Sequence, residues 1–380
     1  MPATYGFLST YPPTQCGLAT FNAALATHLN SSALGNGVVR LLAGDDHGGL
    51  EIDRSAPRVV HTWATDQPGG WVAAANALNR FDVVIVQHEY GIYPGDAGAE
   101  VLPLLRALKK PKIVVLHTVL ATPDPLQRNV LERIVAAADA VVTMTDTARR
   151  RLAEGYRVDP RKIAVIPHGA ASHAAAPRES VDVPHLLTWG LLGPGKGIEW
   201  ALQALAELKD LDPMPVYTVA GRTHPKVLEQ HGDAYRDGLK KLAADLGVAA
   251  QVRWRDVYLD QAALSRLIRS ADVVVLPYDS TEQVTSGVLI EAVGAGVPVV
   301  ATEFPHAVEL LADGPGLLVP HQDPAAMAAA IRHLLADDST SRLTGLVGGP
   351  TLRWPAVAAR YQALATRLIN DRTPAASVPA

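Results

Sequence analysis

The chain has 380 residues, of which 48% are apolar and 19% are charged, and its formal net charge is -4. This length and composition suffice for two hydrophobic cores and exclude an intrinsically disordered chain. The small negative charge argues against a basic stripe that binds a nucleic-acid backbone. The single cysteine, Cys16, excludes an internal disulfide and a cysteine-rich zinc site, as is usual in a reducing compartment.

The N-terminal stretch MPATYGFLSTYPP lacks the basic start and the long apolar core of a signal peptide. No apolar run has the length of a membrane span. We therefore expect a soluble, cytoplasmic protein without a nucleic-acid partner or a transmembrane segment. Peripheral contact with a membrane remains compatible with the sequence, which does not indicate an oligomeric state.

Short apolar segments alternate with amphipathic segments along nearly the whole chain, which predicts parallel sheets with crossover helices. An Ala- and Pro-rich stretch without periodicity separates two such series. We predict an α/β protein of two doubly wound, Rossmann-like domains facing a cleft: 1–170, a linker at 171–184, 185–348, a C-terminal helix at 349–370 and a loose tail at 371–380. The predicted strands are YGFLST, VVRLLAG, DVVIVQH, KIVVLHT, AVVTMT and IAVIPHG, then HLLTWG, VYTVAG, VRWRD, VVVLPY, PVVATE and GLLVP.

The stretch GLLGPGKG, residues 190–197, lies between a predicted strand and a predicted helix. Its glycines let the backbone turn tightly around an anion, and the following helix N-terminus favours negative charge. Lys196 adds a positive charge, but Gly197 stands where a Walker A loop has its Ser or Thr, so magnesium-dependent nucleotide hydrolysis is disfavoured. The alternative is a plain turn with a solvated lysine.

A second polar stretch, PYDSTEQVTSG, precedes a helix that carries Glu291. The backbone N–H groups of Thr285 and Ser286 form another helix N-terminus, which suits a phosphate. Glu291 can accept hydrogen bonds from a diol such as a ribose. The alternative is that Glu291 is a helix-surface glutamate.

Polar residues also follow strands of the first series. Gly17 lies in a turn before a helix, and His117 ends the strand KIVVLHT. A further strand end carries His88, Glu89 and Tyr90, which are candidates for acceptor binding. The alternatives are an ordinary strand-to-helix turn at Gly17, a core histidine at 117, and a polar loop without a role in catalysis.

The sequence gives little indication of a metal-binding site. Asp210 and Asp212 lie at a predicted helix end, whereas Asp45 and Asp46 lie in a glycine-rich loop, and neither pair has the strand-end context that aims two carboxylates at a diphosphate. No H-x-x-x-H zinc pair occurs on a predicted helix. We predict no metal and no cofactor.

Together these motifs resemble the retaining glycosyltransferases of family 4, which have the two-domain GT-B fold. GLLGPGKG matches the family's G-R-L-x-x-x-K-G loop, IEAVGAGVPVVAT matches its EA-x-A-x-G-x-PVV segment, and VIPHGA resembles its VIPNGV junction. Two positions depart from the family. The arginine of the loop is Leu191 here, with Arg222 as a candidate substitute, and the first glutamate of E-x7-E is Gln283.

The resemblance implies transfer of a hexosyl group, of the mannose or glucose type, from a nucleotide sugar such as GDP-mannose or UDP-glucose to a hydroxyl acceptor, with retention of configuration. On this resemblance we expect the leaving diphosphate to be stabilised by Lys196, Arg222 and the helix N-termini after Gly17 and Gly195, with Gly17 covering it from the first domain. We expect His117 to lie near the reacting sugar and Gln283 to contact that sugar. We also expect Glu291 to hold the ribose, and Asp256 and Val257 to lie near the base. The resemblance also implies that the C-terminal helix can cross back to the first domain, and that the role is carbohydrate biosynthesis.

Three other functional classes share parts of this pattern. A sugar phosphorylase or a nucleotide-sugar epimerase can have the same architecture. A non-catalytic sugar-binding protein would explain Leu191 and Gln283 as signs of lost activity. A nicotinamide dehydrogenase is disfavoured, because no strand is followed by G-x-G-x-x-G and then an acidic residue about 20 positions later.

Overall fold

The structure is a computed structural model that describes residues 3–29, 35–42, 57–172, 183–312, 314–336 and 350–372. The chain forms two compact units. The first unit combines Met1–Gly169 with Trp354–Ala380, and the second comprises Ala170–Arg353.

The first unit contains a parallel sheet of seven strands in the order β3-β2-β1-β4-β5-β6-β7. The apolar runs of the inner strands of this sheet are buried on both faces, as expected for a parallel sheet between helices; Val83, Val84, Ile85 and Val86 of β4, for example, are fully buried. The strands are β1 Tyr5–Ser9, β2 Asn36–Leu42, β3 Arg58–Ala64, β4 Val83–His88, β5 Lys112–Leu116, β6 Ala140–Thr143 and β7 Ile163–Val165.

The crossover helices of this unit begin at side-chain caps in several cases. Cys16 caps α1 through its sulfur, whereas Asp124 and Gln127 form a capping box at α4, with Pro125 as the first helical residue. The helices are α1 Gly17–His28, α2 Trp71–Leu78, α3 Val101–Ala107, α4 Pro125–Ala137 and α5 Asp146–Gly155, with short 3-10 helices at Asp96–Gly98 and Pro160–Lys162.

The second unit has a parallel sheet of six strands in the order β10-β9-β8-β11-β12-β13. The strands are β8 His185–Trp189, β9 Val216–Ala220, β10 Val252–Arg255, β11 Val273–Leu276, β12 Val299–Thr302 and β13 Gly316–Val319. The helices are α6 Ile198–Ala206, α7 Pro225–His231, α8 Ala234–Asp245, α9 Gln261–Ser270, α10 Gly287–Gly294, α11 Pro305–Leu311 and α12 Pro324–Ala336, with 3-10 helices at Ala249–Gln251 and Pro350–Leu352.

Both sheets have the doubly wound strand order, in which the chain starts in the middle and reverses direction once. The order reverses between β1 and β4 in the first unit and between β8 and β11 in the second. Ligands of such sheets bind beyond the carboxyl ends of the strands at this reversal. The loops after these four strands are therefore where each unit is expected to bind a ligand.

The last helix, α13 Trp354–Arg372, packs on α1 and belongs to the first unit. Trp354, Val357 and Tyr361 are buried on one of its faces. At its end Arg372 Nη2 lies 2.6 Å from Asp139 Oδ1. The prediction that the C-terminal helix returns to the first domain is confirmed.

The predicted α/β architecture of two doubly wound sheets is also confirmed. All twelve predicted strands are present, and β3 is an additional strand that the pattern missed. β3 lies at the edge of its sheet and exposes Arg58, Val59 and Val60, so it lacks the continuous apolar run of a buried strand. In the part of the chain that the structure describes, no helix is both long and apolar enough to cross a membrane.

Candidate functional site

The loop at Gly190–Gly197, here called the glycine loop, follows β8 at the strand reversal of the second unit. Gly197 has φ +62° and caps α6, which begins at Ile198. A Cβ atom at Gly197 would lie 1.8 Å from the carbonyl oxygen of Pro277, which follows β11. Asp279 N–H also donates to Gly195 carbonyl at 3.0 Å. The glycine loop is thus held against the backbone that follows β11, as the sheet topology requires.

Lys196 lies on this loop with its Nζ 4.2 Å from the centre of the Tyr278 ring. Tyr278 is 1% exposed, whereas Lys196 is half-buried. A cation over an aromatic face is stabilised without being neutralised. Among the described residues no carboxylate forms an ion pair with Lys196. The ammonium charge is therefore held in place and remains available to an anion.

Arg222 follows β9 beside the glycine loop, since its carbonyl oxygen accepts a hydrogen bond from Leu192 N–H at 2.8 Å. Its side chain is exposed. The pKa of the neighbouring His224 is lowered, mainly by burial and then by the charges of Lys226 and Lys196. Lys226 and Lys196 thus both bring positive charge near His224, and Arg222 as a diphosphate ligand stays a prediction.

The loop before α10 is organised by His306. His306 N–H donates to Gln283 carbonyl at 3.2 Å, and His306 Nδ1 accepts the Ser286 N–H group at 2.7 Å. The Ser286 hydroxyl caps α10 by accepting from Leu289 N–H. The Ser286 N–H group is therefore used inside the protein, which corrects the prediction that it binds a phosphate.

The same loop also carries Gln283 and Thr285, whose contacts with the donor stay predictions. Gln283 is half-buried, and its Nε2 donates to Thr285 carbonyl at 3.1 Å, which leaves its Oε1 without a partner in the described chain. The Thr285 hydroxyl oxygen is buried and has no hydrogen-bond partner within the described ranges.

Glu291 lies on α10 and is half-buried. Its two carboxylate oxygens lie 3.3 and 3.2 Å from Ala171 N–H, from which they accept. Glu291 is thus not a plain helix-surface glutamate, because it anchors the backbone at the start of the second unit. A carboxylate has about four lone-pair sites, so this contact leaves room for a diol. The ribose contact stays a prediction.

Asp256 and Val257 follow β10, and both are exposed. Asp256 Oδ1 lies 3.0 Å from Nη2 of Arg236, a residue of α8 that is only 3% exposed. The same Nη2 donates to Gly221 carbonyl at 2.6 Å. Arg236 therefore ties the ends of β9 and β10 together, and it holds the carboxylate of Asp256, a residue that we predicted to lie near a nucleobase.

In the first unit Gly17 is the first residue of α1 and is exposed, with open space where a Cβ would be. The preceding residue, Cys16, caps the helix: its Sγ accepts from Ala19 N–H at 3.4 Å and lies 3.2 Å from Thr10 Oγ1. This loop follows β1, at the strand reversal. A phosphate at the helix start stays a prediction.

His117 follows β5 and is half-buried. Its Nε2 lies 2.8 Å from Gln87 Oε1, and its ring packs edge-on against Phe21 with centroids 4.9 Å apart. Burial, with smaller contributions from the nearby His168 and His88, lowers its pKa from 6.5 to about 3. His117 is therefore a neutral ring near pH 7.

His88 ends β4 but is fully buried between Tyr90 and Tyr93. Neither of its ring nitrogens has a hydrogen-bond partner among the described residues, and burial lowers its pKa to about 4. A side chain without exposed surface cannot contact an acceptor, so the prediction of acceptor binding by His88 is corrected. The sequence shows that this strand ends in polar residues, but it does not show that the rings of Tyr90 and Tyr93 cover His88.

Glu89 and Tyr90 lie just beyond β4 and are half-buried. Glu89 accepts a hydrogen bond from the Thr118 hydroxyl at 2.5 Å and one from Tyr90 N–H at 2.9 Å. These contacts join the loops after β4 and β5, so Glu89 and Thr118 lie next to His117. Acceptor binding by Glu89 and Tyr90 stays a prediction.

Of the two acidic pairs considered as metal ligands, only Asp210 and Asp212 lie among the described residues. Asp210 forms a two-pronged contact with Arg332, at 2.8 Å for each oxygen, whereas Asp45 and Asp46 lie outside the described residues. Within the described ranges no group of three or more His, Cys, Asp or Glu side chains has a metal-binding arrangement. Metal independence stays a prediction.

Four residues of these sites were not identified from the sequence: Gln87, Arg236, Tyr278 and His306. Gln87 and Tyr278 each lie at or just beyond the end of a predicted strand, which is a signal that could have found them. Arg236 and His306 act from helices distant in the sequence, and no local pattern marks them.

Comparisons with known proteins match both units to glycosyltransferases. Residues 17–172 match the family model described as Glycosyltransferase Family 4, and residues 183–337 match the model described as Glycosyl transferases group 1. Among similar proteins, the D-inositol 3-phosphate glycosyltransferase of Corynebacterium glutamicum (strain R) is 30% identical over 69% of this chain and 68% of its own length. That of Streptomyces scabiei is 32% identical over 72% of this chain and 62% of its own length. That of Streptomyces avermitilis is 34% identical over 59% of this chain, and the match spans only 50% of its own length.

Solved structures resemble the whole chain at low sequence identity. A glycosyltransferase from Rickettsia africae has a TM-score of 0.73 and 16% identity over 97% of this chain and 99% of that chain. Anabaena HepE, solved in complex with UDP and glucose, has a TM-score of 0.71 and 15% identity over 97% of this chain and 98% of that chain. These likenesses confirm the GT-B fold. With both units matched to the same family, the chain belongs to the family 4, group 1 glycosyltransferases.

Proposed function

We propose that the protein transfers a hexosyl group from a nucleoside-diphosphate sugar to a hydroxyl of a sugar or small-molecule acceptor, with retention of configuration and without a metal. The second unit binds the donor and the first unit contributes to the acceptor side. The names of the relatives, D-inositol 3-phosphate glycosyltransferases, support a phosphorylated cyclitol as one acceptor to test.

One observation carries this proposal. The ammonium group of Lys196 is fixed over Tyr278 at the strand reversal, without a carboxylate partner in the described chain, and next to the first turn of α6. When the bond between the anomeric carbon and the phosphate oxygen breaks, negative charge grows on the leaving diphosphate. A cation and helix N–H groups held ready for that charge stabilise the transition state.

Retention follows most simply from attack on the same face that the leaving group departs from. The acceptor hydroxyl gives its proton to the departing phosphate oxygen, while its oxygen bonds to the anomeric carbon. This path needs no enzymic nucleophile. In the first unit the carboxylate next to His117, that of Glu89, already accepts two hydrogen bonds, which makes it a poor nucleophile.

The remaining site residues have supporting roles in the proposal. Glu291 holds the ribose while its oxygens also bind Ala171 N–H, and Gln283 offers its free Oε1 to a sugar hydroxyl. Since Gln283 carries no charge, its contribution is a single neutral hydrogen bond. His117, a neutral ring, positions the sugar.

Binding is tested first by a thermal-shift screen with nucleotides and nucleotide sugars, because a ligand of the folded state raises Tm by mass action. The bound nucleotide sugar is then incubated with candidate acceptors in excess EDTA. The proposal predicts nucleoside diphosphate release only when an acceptor is present. Release without an acceptor, epimerisation of the donor, or sugar phosphate formation from a glycoside and phosphate would favour an epimerase or a phosphorylase instead. Loss of activity in EDTA and its return with magnesium or manganese would refute metal independence.

A further inference from the structure

Gln87 is a fully buried glutamine of β4 whose side chain connects two elements. Its Oε1 accepts a hydrogen bond from His117 Nε2 at 2.8 Å, and its Nε2 donates to Asn22 Oδ1 on α1 at 3.4 Å. Its backbone carbonyl accepts from the Tyr93 hydroxyl at 2.5 Å. The amide is thus held at both ends, with its oxygen towards His117.

This contact determines where the proton of His117 lies. An amide oxygen can only accept, so Nε2 of the ring must carry the hydrogen. In a neutral imidazole the other nitrogen, Nδ1, is then an acceptor. Nδ1 has no partner among the described residues. A carboxylate in place of Gln87 would stabilise the charged ring, whereas an amide does not.

We infer that Gln87 is a positioning residue that holds His117 as a neutral ring with Nε2 protonated, so that Nδ1 accepts a hydrogen bond from a hydroxyl of the transferred sugar. Only the identity of the ligand rests on the proposed function. The state of the ring itself is a property of the first unit.

The surroundings of His117 agree with a neutral ring. Phe21 of α1 packs edge-on against it, and the charged groups that affect its pKa are His168 after β7 and His88 on β4, both of which lower it. Glu89 lies beyond β4 and bonds Thr118, but no acidic side chain of the described chain forms an ion pair with His117. The ring therefore has an amide as its only hydrogen-bond partner in the described chain.

The direct test is ¹⁵N NMR of the full chain labelled at histidine, with the His117 signals assigned through His117→Gln. We expect the Nε2-protonated tautomer with no titration between pH 5.5 and 8. An Nδ1-protonated ring, or a ring that titrates in this range, would overturn the inference. This measurement needs no substrate and no variant at position 87, so it decides the matter even if wild-type protein turns over no nucleotide sugar.

The functional test uses Gln87→Glu. Asn22 Nδ2, which is buried and has no hydrogen-bond partner in the part of the chain that the structure describes, can turn to donate to the new carboxylate. We expect the pKa of His117 to rise into the neutral range, so that turnover falls as the pH falls and recovers towards the wild-type rate at higher pH. The wild-type rate should not show this titration. A Gln87→Glu profile parallel to that of the wild type would overturn the assigned role.

Two further variants separate positioning from general damage. Gln87→Met removes the hydrogen bonds to His117 and to Asn22 while keeping the side-chain length. We expect turnover to fall about tenfold at every pH, the loss expected for the one hydrogen bond that holds His117. Tyr93→Phe removes only the bond to the Gln87 carbonyl, so the tautomer of His117 and the pH profile should stay as in the wild type. An equal change in both variants would contradict a specific role for the Gln87 amide.

Discussion

At the scale of single residues, the site depends on groups whose environment differs from that of ordinary surface residues. Lys196 has an aromatic ring beneath it and no carboxylate partner in the described chain, whereas Lys241, an exposed lysine of α8, is paired with Asp245 at 2.5 Å. Surface ion pairs contribute little and neutralise the charge locally. In the proposed function the ammonium group of Lys196 instead meets the diphosphate of the donor.

We therefore expect Lys196→Ala to lower turnover by roughly 10²-fold or more, the usual loss when a group that stabilises transition-state charge is removed. The free energy of unfolding should change little, because no carboxylate is left unpaired. Steady-state kinetics with a nucleotide-sugar donor and urea unfolding measure both effects. Lys226→Ala, at an exposed lysine near the same loop, is the matched control. A near-normal kcat/KM for Lys196→Ala would remove this residue from the site.

Glu291 and Gln283 are predicted to contact different parts of the donor. Glu291→Ala should weaken both the nucleotide sugar and the bare nucleoside diphosphate, since both carry the ribose. Gln283→Ala should weaken only the nucleotide sugar. One hydrogen bond is worth about 0.5–1.5 kcal/mol, or about 1.5–3 kcal/mol with a charged partner, which calorimetry resolves.

A control is needed because Glu291 also holds the backbone of Ala171. Glu291→Gln keeps an acceptor for that N–H group, so it should preserve the fold and lose only part of the nucleotide affinity. Unchanged nucleotide affinity in Glu291→Ala would exclude the ribose contact. Equal losses for both ligands in Gln283→Ala would exclude a sugar-facing role.

At the scale of elements, the glycine loop is held by its close approach to the segment after β11. Gly197 and Gly195 both have positive φ, +62° and +86°, but only at Gly197 would a Cβ overlap backbone, at Pro277. Gly195→Ala should therefore cost about 1–2 kcal/mol from the left-handed backbone alone. Gly197→Ala should cost roughly 1–3 kcal/mol more, because the loop must move. Urea unfolding of both variants measures the difference, and equal losses would contradict the described packing.

The elements themselves were largely predictable from the sequence. Buried parallel strands have continuous apolar runs, so β4 and β11 are evident from DVVIVQH and VVVLPY. The exception, β3, is an edge strand that exposes its first three residues, and its composition therefore lacks that run. Strand order was not predicted, since it depends on contacts between distant segments.

The candidate site was predictable where it lies on one continuous loop. Lys196 could be identified because its glycines and the following helix are adjacent in the sequence. The ring of Tyr278 beneath Lys196, the amide of Gln87 beside His117 and the guanidinium of Arg236 beside Asp256 come from other elements. The burial of His88 depends on Tyr90 and Tyr93 covering it, which the strand pattern does not show.

At the scale of the whole molecule, the fully buried His88 and the half-buried His117 make stability depend on pH. The pKa of His88 is lowered from 6.5 to about 4, and that of His117 to about 3, by burial in both cases. Below pH 6.5 the unfolded chain binds protons that the folded chain does not. Stability is therefore full above pH 6.5 and falls as the pH approaches 4, by up to about 1.4 kcal/mol per pH unit for each histidine.

We expect His88→Leu to reduce this acid sensitivity, because Leu fills the site without titrating. Between pH 7.5 and 5.5 the loss of unfolding free energy should be smaller than in the wild type by about 1 kcal/mol. Urea unfolding at the two pH values measures it, with His333→Gln, at an exposed histidine of α12, as the control. An unchanged pH dependence in His88→Leu would contradict the buried neutral state of His88.

The most direct test of the central claim is a ¹H NMR time course of wild-type protein with the nucleotide sugar found by thermal shift, an acceptor and EDTA. The account predicts that the donor's anomeric signal decays only when acceptor is present. A new anomeric signal of the same configuration should grow in step with free nucleoside diphosphate. A product of inverted configuration would contradict the retaining mechanism, and the absence of any donor turnover across the panels of nucleotide sugars and acceptors would contradict the proposed transfer itself.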